Sequence, residues 1–200
     1  MTWKNHAQQA VFQEYLHQLN EIEGRLKRLK AEIHLQATGS KHAPVIQALQ
    51  TMRGVAEVNA VTLVAEVGKF SRFRNPKQLM AYAGLVPEEH SSGASKWKGK
   101  ITKTGNTYLR RACVEAAWSY RHKPAVKGDI RRRQRGQSPQ IRDIAWRAQD
   151  RLHRKYFRMI SRGKNSCLAL TTLPQQGSFS GLHGRLHVAW KRLERYKNRL

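Results

Sequence analysis

Two hundred residues suffice for one domain and an appendage, with 40% apolar side chains to build a core. A formal charge of +25 and a pI near 11.0 go far beyond what solubility requires and imply a polyanionic partner, nucleic acid above all. No apolar run approaches the roughly 18–20 residues of a membrane span, the first residues do not read as a signal peptide, and Cys113 and Cys167 lack C-x-x-C spacing. Membrane, secreted and disulfide-stapled classes are therefore not expected, and both thiols read as reduced groups of a cytoplasmic protein. The charge is uneven. Residues 1–100 hold 14 basic and 8 acidic side chains, whereas residues 101–200 hold 24 and 5, so the second half is the electrostatic footprint.

In chain order, Phe12, Tyr15, Leu19, Ile22, Leu26, Leu29 and Ile33 recur at alternating steps of three and four, an a/d seam flanked by charged residues. An amphipathic helix packed on its own domain would give the same apolar positions; the narrow seam favours a coiled-coil arm used for dimerisation. Gly24 inside it costs about 1 kcal/mol relative to alanine. Thr38-Gly39-Ser40 breaks the arm, and a short helix is predicted from about Pro44 to Met52. The run from Gly54 to Gly68 reads as a small-residue turn followed by a helix. It is similar to the second half of a helix-hairpin-helix unit, which aims backbone N–H groups at a phosphate. Ala56 stands where such a turn usually has a second glycine, and plain helical packing accounts for the segment equally well.

Asn75-Pro76 reads as an N-cap and first helical residue, with that helix ending at Gly84. Residues 85–104 show no helical period, and only Ile101 and Thr102 suggest a brief strand. Asn106 caps the next helix, whose apolar face holds Leu109, Ala112, Cys113, Ala116, Ala117 and Tyr120, and Pro124 stops it. Residues 121–139, with Arg131, Arg132, Arg133 and Arg135, read as a cationic connector that is mobile until it meets its partner. A long helix follows from Gln140 to Arg162. One face carries Ile141, Ile144, Ala148, Leu152, Tyr156 and Met159; the other carries Arg147, Arg151, Arg154, Lys155 and Arg158. These elements predict a mainly α protein: a coiled-coil helix over 1–38, a helix-hairpin-helix-like domain over 42–164, and a disordered or weakly helical basic tail over 165–200.

Ser91-Ser92-Gly93 is the candidate nucleophile. A serine hydroxyl attacks only when a base or metal takes its proton, and the anionic transition state needs cations nearby. Lys96, Lys98, Lys100 and Lys103 follow within reach in sequence, and in an extended chain His90 and Ser92 would share one side. A flexible Ser-Ser-Gly turn is the plainer reading. Trp97 between Lys96 and Lys98 can stack on an unpaired base or tuck against the domain. Arg110 and Arg111, one turn into a helix, suit phosphate contact or a solvated face. The Arg131–Arg133 run suits a polyanion without sequence preference. His183 and His187 have i, i+4 spacing, but no carboxylates stand near them, which argues against zinc. Asp129, Asp143 and Asp150 lie apart in basic surroundings, so no two-metal carboxylate set is expected.

GVAEVNAVTLVAEVGKFSRFRNPKQLMAYAGLVPEEHSSG, then GKITKTGNTYLRRACVEAAWSYR, then IRDIAWRAQDRLHRKYFRMISRGK resemble the C-terminal half of the bacterial transposase family typified by insertion sequences one-ten, one-sixteen and nine-oh-two. The likeness runs over about residues 5–165. It implies a recombinase that moves a circular element with an element-encoded guide RNA. In such proteins a resolvase-like domain with a D-E-D-D metal set is joined through a coiled coil to a helical domain with an essential serine. Here that serine falls at Ser91 or Ser92, with Ser92, directly before glycine, preferred. The resemblance implies that Mg²⁺ enters only through a separate nuclease domain, with no cofactor held by this chain. It also implies a DNA and guide-RNA partner, a nucleoid-associated cytoplasmic location, and assembly with itself or a full-length copy through the coiled coil. The resolvase-like domain is missing here, and after about Lys164 a Gly/Ser/His-containing tail stands where the family continues with an apolar helix. The expectation is a truncated copy, inactive alone, whose tail comes from a shifted frame. The rival expectations are a non-catalytic basic DNA/RNA-binding regulator and a ribosome-associated RNA binder.

Overall fold

The heptad-spaced stretch is one continuous helix, α1 (His6–Gly39), of 34 residues. Our computed structural model describes residues 5–92, 95–166 and 169, and between 90 and 98 the backbone alone. Asn5 caps α1 by accepting from the Ala7 N–H at 2.9 Å. The helix passes through Gly24 unbroken, because a single glycine costs less than the many turns on either side supply. Along its seam Tyr15, Leu19, Ile22, Leu26 and Leu29 are each close to half or more exposed. The chain divides into two compact units, one ending at Ser40 and one beginning at Lys41.

In the second unit α2 (Ala43–Gln50) and α3 (Glu57–Val67) form a helical hairpin. Val45, Ile46 and Leu49 of α2 are buried, as are Ala60, Leu63, Val64 and Val67 of α3. α5 (Thr107–Trp118) packs on α3 and buries Leu109, Ala112, Cys113 and Ala116. Between them, α4 (Pro76–Tyr82) starts as expected: Asn75 accepts from Gln78 N–H at 3.0 Å, and Pro76 fills the first turn. The Arg72 guanidinium lies 4.8 Å from the Phe73 ring centre and 4.6 Å from that of Tyr82, tying the entry of α4 to its end.

After α5 a single 3-10 turn (Ser119–Arg121) redirects the chain toward α7 (Pro139–Ile160). Tyr120 and Ala117 pack there with Leu152 and Met159, flanked by Tyr156 and Ile160. The ring Nδ1 of His153 is 3.0 Å from the Tyr120 carbonyl. Ser138 caps α7 and Pro139 opens it, so the helix begins one residue before the sequence suggested.

Two expectations are corrected. Residues 85–104 are no irregular loop: β1 (Pro87–Ser92) and β2 (Ser95–Ile101) pair antiparallel, with an irregularity between Pro87 and Glu89. Thr102 lies just outside this pair. The segment 121–139 is no free connector either. It contains α6 (Gly128–Arg133) and is fastened at four points. Arg53 donates to the Lys123 carbonyl at 2.6 Å, and the Ala125 N–H donates to buried Gln149 at 3.4 Å. Arg133 donates to the Val55 carbonyl at 2.6 Å, and buried Gln134 to that of Thr51 at 3.1 Å. Among the described residues no helix is long and apolar enough to cross a membrane. The tail beyond residue 169, Cys167, and the pair His183 and His187 lie outside the described residues.

The core carries its own pH signature. Burial pushes the Cys113 thiol from 9.0 up to about 12, and burial raises the Tyr120 phenol as well. Both groups ionise more readily unfolded, so the neutral folded forms lose ground only once the unfolded groups deprotonate. Stability is therefore unaffected below about pH 9 and falls from there toward pH 12. The urea midpoint should drop between about pH 8 and about pH 10.5, and Cys113→Ala should flatten that drop.

Candidate functional site

An isolated two-stranded hairpin is marginal in water, so its anchoring decides whether it can hold a reactive group. Here the root is bonded strand by strand. Thr102 N–H donates to the Val86 carbonyl at 3.0 Å, Lys103 N–H to that of Gly84 at 3.2 Å, and Asn106 N–H to that of Tyr82 at 2.8 Å. Leu85, fully buried, plugs the root into the helical core.

Asn106 joins this root to both flanking helices. Its side-chain oxygen caps α5 by accepting from Leu109 N–H at 2.8 Å, and its amide donates to the Glu66 carboxylate on α3. The Tyr82 hydroxyl donates to the Glu66 carbonyl at 3.3 Å. Gly84, at φ 64, makes the crossing possible: a Cβ there would sit 2.3 Å from the Thr104 carbonyl oxygen. Lys103 turns at φ 55, the one non-glycine residue with positive φ among those described.

The strand register sets Ser91 opposite Lys96, Ser92 opposite Ser95, His90 opposite Trp97 and Glu89 opposite Lys98. Sequence reasoning put a serine pair and a lysine series in one loop; the ladder sets the two runs side by side. The side chains of His90, Ser91, Ser92, Lys96, Trp97 and Lys98 lie outside the described residues. Lys100 and Lys103, at the far end of the hairpin, are exposed.

Arg110 takes a different post from the one its sequence context suggests. One terminal nitrogen, Nη1, donates to the carbonyls of both Ala83 and Lys103 at 3.0 Å, and Nη2 donates to the Thr107 hydroxyl at 3.2 Å. It clasps the two sides of the hairpin root. Arg110→Ala should therefore lower stability by about 2 kcal/mol, the scale of charge-assisted bonds to carbonyls. Urea unfolding and the salt dependence of DNA binding check this together. A phosphate ligand would leave stability intact and reduce the salt slope by about 0.9 on its removal. Arg111 is exposed and paired with Glu115 at 2.7 Å, which holds its pKa above the ordinary arginine value. Tyr108, beside them, is 69% exposed.

The remaining candidates meet at a second locality. Gly54 lies in the α2–α3 turn with φ 80, and its missing side chain faces α5: a Cβ would come 2.3 Å from the Ala116 carbonyl oxygen. Arg133 bonds the neighbouring Val55 carbonyl, and burial, the largest cause, lowers its pKa from the ordinary value. Arg132 pairs with Asp129 at 2.7 Å. Arg131, like Arg132, is exposed. The other two aspartates are also occupied locally, Asp143 with Arg147 at 2.9 Å and Asp150 with Arg154. Among the described residues no three His, Cys, Asp or Glu side chains are grouped so that they could hold a metal ion.

What sequence reasoning missed is a cationic concavity of about 450 Å³ at the C-terminal end of α7, lined by Arg151, Arg154, Lys155, Arg158, Arg162 and Lys164 around Met159. The i, i+3, i+4, i+7 spacing of these cations was its visible signal.

Residues 46–131, which hold the hairpin, its root and the α2–α3 turn, match the family described as Transposase IS116/IS110/IS902 family. A protein of Sinorhizobium fredii (strain NBRC 101917 / NGR234) named as transposase y4qE is 42% identical over 134 residues, covering 67% of this chain and 34% of that protein. A Pseudomonas aeruginosa protein named as a family 20 transposase is 32% identical over 123 residues, 62% of this chain and 36% of its own length. The transposase for insertion sequence element IS1111A of Coxiella burnetii is 38% identical over 71 residues, 36% of this chain and 20% of its own length. The chain thus spans about a third of the length of the first two relatives. With its serine hairpin and helical scaffold inside the matched stretch, the chain belongs to the IS116/IS110/IS902 transposase family.

Proposed function

We propose that this chain is the serine-bearing, nucleic-acid-binding portion of an insertion-sequence transposase, with Ser92 as the nucleophile of DNA strand recombination. The observation that supports it most is the position of the hairpin. The family match surrounds a β ladder that runs a Ser-Ser pair alongside a lysine-bearing strand on a fixed helical root.

In the reaction, the Ser92 oxygen attacks a backbone phosphorus. One P–O bond forms to serine and one breaks to the departing sugar oxygen, which receives the proton that serine gives up. One phosphate ester replaces another, so the reverse attack by a new sugar hydroxyl reseals the strand without an outside energy source. Lys96, opposite Ser91 at the serine end of the ladder, lowers the energy of the anionic transition state, while Lys98, Lys100 and Lys103, farther along the hairpin, hold the DNA strand. No step is assigned to a metal on these residues, and a base in another part of the recombining assembly relays the serine proton to the departing sugar oxygen.

The half-exposed seam of α1 supports a coiled coil, joining the chain to a second copy or to a full-length transposase. The basic surface around Gly54, Arg111, Arg131 and Arg132 then holds DNA and a guide RNA, in the cytoplasm beside the nucleoid. Alone, the chain binds nucleic acid and cuts poorly.

Trapping settles the central point. Labelled element-end DNA is mixed with this chain and a full-length family member, and covalent adducts are resolved under denaturing conditions. A DNA adduct at the mass of this chain is the expected result. Recombination by the mixture with no adduct on this chain, while it still binds DNA, would leave only the non-catalytic basic regulator.

A further inference from the structure

The helix α7 sorts its side chains into stripes at 100° per residue. Ala145, Ala148, Leu152 and Met159 face the core, while Arg151, Arg154 and Arg158 fall at steps of three and four on another face, with Arg162 in the turn just beyond. The helix then ends in a turn that folds the chain back. Gly163, at φ 75, donates its N–H to the Ile160 carbonyl at 2.9 Å, and Lys164 N–H donates to that of Met159 at 3.1 Å. That closure brings Lys164 to the end of the arginine row and makes a concavity of about 450 Å³ from what would otherwise be a flat helix face.

Among the described residues six cations line this hollow and no carboxylate does. Asp150 is the nearby acid, and it is engaged with Arg154 along the helix. The crowding has a cost within the protein: burial first, and then Arg151, push the Lys155 ammonium below its ordinary pKa. A multiply charged anion in the hollow would relieve that repulsion. From Arg151 to Arg158 the row rises about 10 Å along the helix, longer than any single phosphate group, and Arg162 extends it past the helix end. A row of that length suits successive phosphates of one strand.

We infer that the α7 hollow is a second seat for a phosphodiester backbone, gripping nucleic acid at a place distinct from the serine hairpin. The inference rests on the reading of this chain as a nucleic-acid-binding transposase portion. It assigns to α7 a holding role with no part in the chemistry.

The test uses the full chain and the variant Arg151→Gln/Arg158→Gln/Arg162→Gln, all exposed positions, with circular dichroism to show that the helices are retained. Binding of a short DNA duplex and of an RNA hairpin is followed by fluorescence anisotropy over a salt series. For the polymer seated on α7, the slope of log affinity against log salt should shrink by about 2–3, and affinity near physiological salt should fall roughly 10- to 100-fold. Which polymer responds identifies the strand, and a response from either supports the seat. Wild-type slopes for both polymers in the variant overturn it while leaving nucleic-acid binding intact. Failure of the unaltered chain to bind either polymer overturns the broader reading as well. If the triple variant loses helix content, Arg162→Glu, in the turn beyond α7, asks the same question alone: the slope should fall by about 1, and an unchanged slope would overturn the seat.

Discussion

Gly54→Ala is expected to destabilise the second unit by about 3–4 kcal/mol, a large share of the 5–15 kcal/mol that holds a typical domain together. Two terms add. At φ 80 an alanine is strained by about 1–2 kcal/mol. Its Cβ would also lie 2.3 Å from the Ala116 carbonyl oxygen and 2.9 Å from both the Ala116 Cα and the Ser119 hydroxyl. Two of those atoms are backbone in the last turn of α5, which must shift to make room, an overpacking cost of about 1–3 kcal/mol. Gly136→Ala is the control: it has φ 75 but nothing within 4 Å of the added carbon, so it carries the strain term alone. The difference between the two urea midpoints isolates the crossing of the α2–α3 turn over α5. If Gly54→Ala instead unfolds like the wild type and loses DNA affinity, the turn serves a phosphate and not the helix crossing.

Gly54 also shows where sequence reading reaches and where it stops. A glycine after a short helix signals a turn, and the turn is there. What the missing side chain faces depends on Ala116, over sixty positions away, and no local pattern carries that. The same divide runs through the whole chain. Asn75, Asn106 and Gly84 act within a few residues of themselves, so the caps and the helix end they suggested are present. The α1 seam was legible because a heptad repeats along one helix. The hairpin was not, because Pro87 to Ser92 is proline, glutamate, histidine and serine, with no apolar alternation to mark a strand. Its order comes from its root, where Asn106 meets Glu66 across forty residues. The arginine run over 131–133 looked like a tether because its charge is dense. Arg133 is partly buried on Val55, and Gln134, which has no charge, is the most deeply held residue of that segment.

The candidate site divides along the same line. Residue types and their order single out the serines and the lysines as candidates, since the chemistry requires a hydroxyl among cations. Geometry altered the roles of others. Arg110 faces carbonyls of the hairpin root, and a basic helix face treated as background closes into a hollow because Gly163 turns the chain. Positive charge alone does not distinguish a ligand from a clasp; the number of backbone carbonyls within reach does.

Ser92→Ala should abolish the covalent step, by on the order of a thousand-fold or more, the scale on which an enzyme loses its nucleophile. The assay mixes the chain with a full-length family member whose own serine has been replaced by alanine, so that every adduct arises from this chain. Ser91→Ala is the necessary companion. The two serines are consecutive in β1, so each must be removed by itself to learn which hydroxyl forms the bond. Their places in the ladder differ too, Ser91 opposite Lys96 and Ser92 opposite Ser95. Ser91→Ala is accordingly expected to keep most of the adduct, and both variants should bind DNA as the unaltered chain does, since neither removes a cation. Loss of adduct in Ser91→Ala alone would move the nucleophile by one residue. Equal adduct from both single variants would mean that either hydroxyl can reach the phosphorus, or that neither does and the bond lies elsewhere. The double variant separates those two outcomes, because only in the second does the adduct persist.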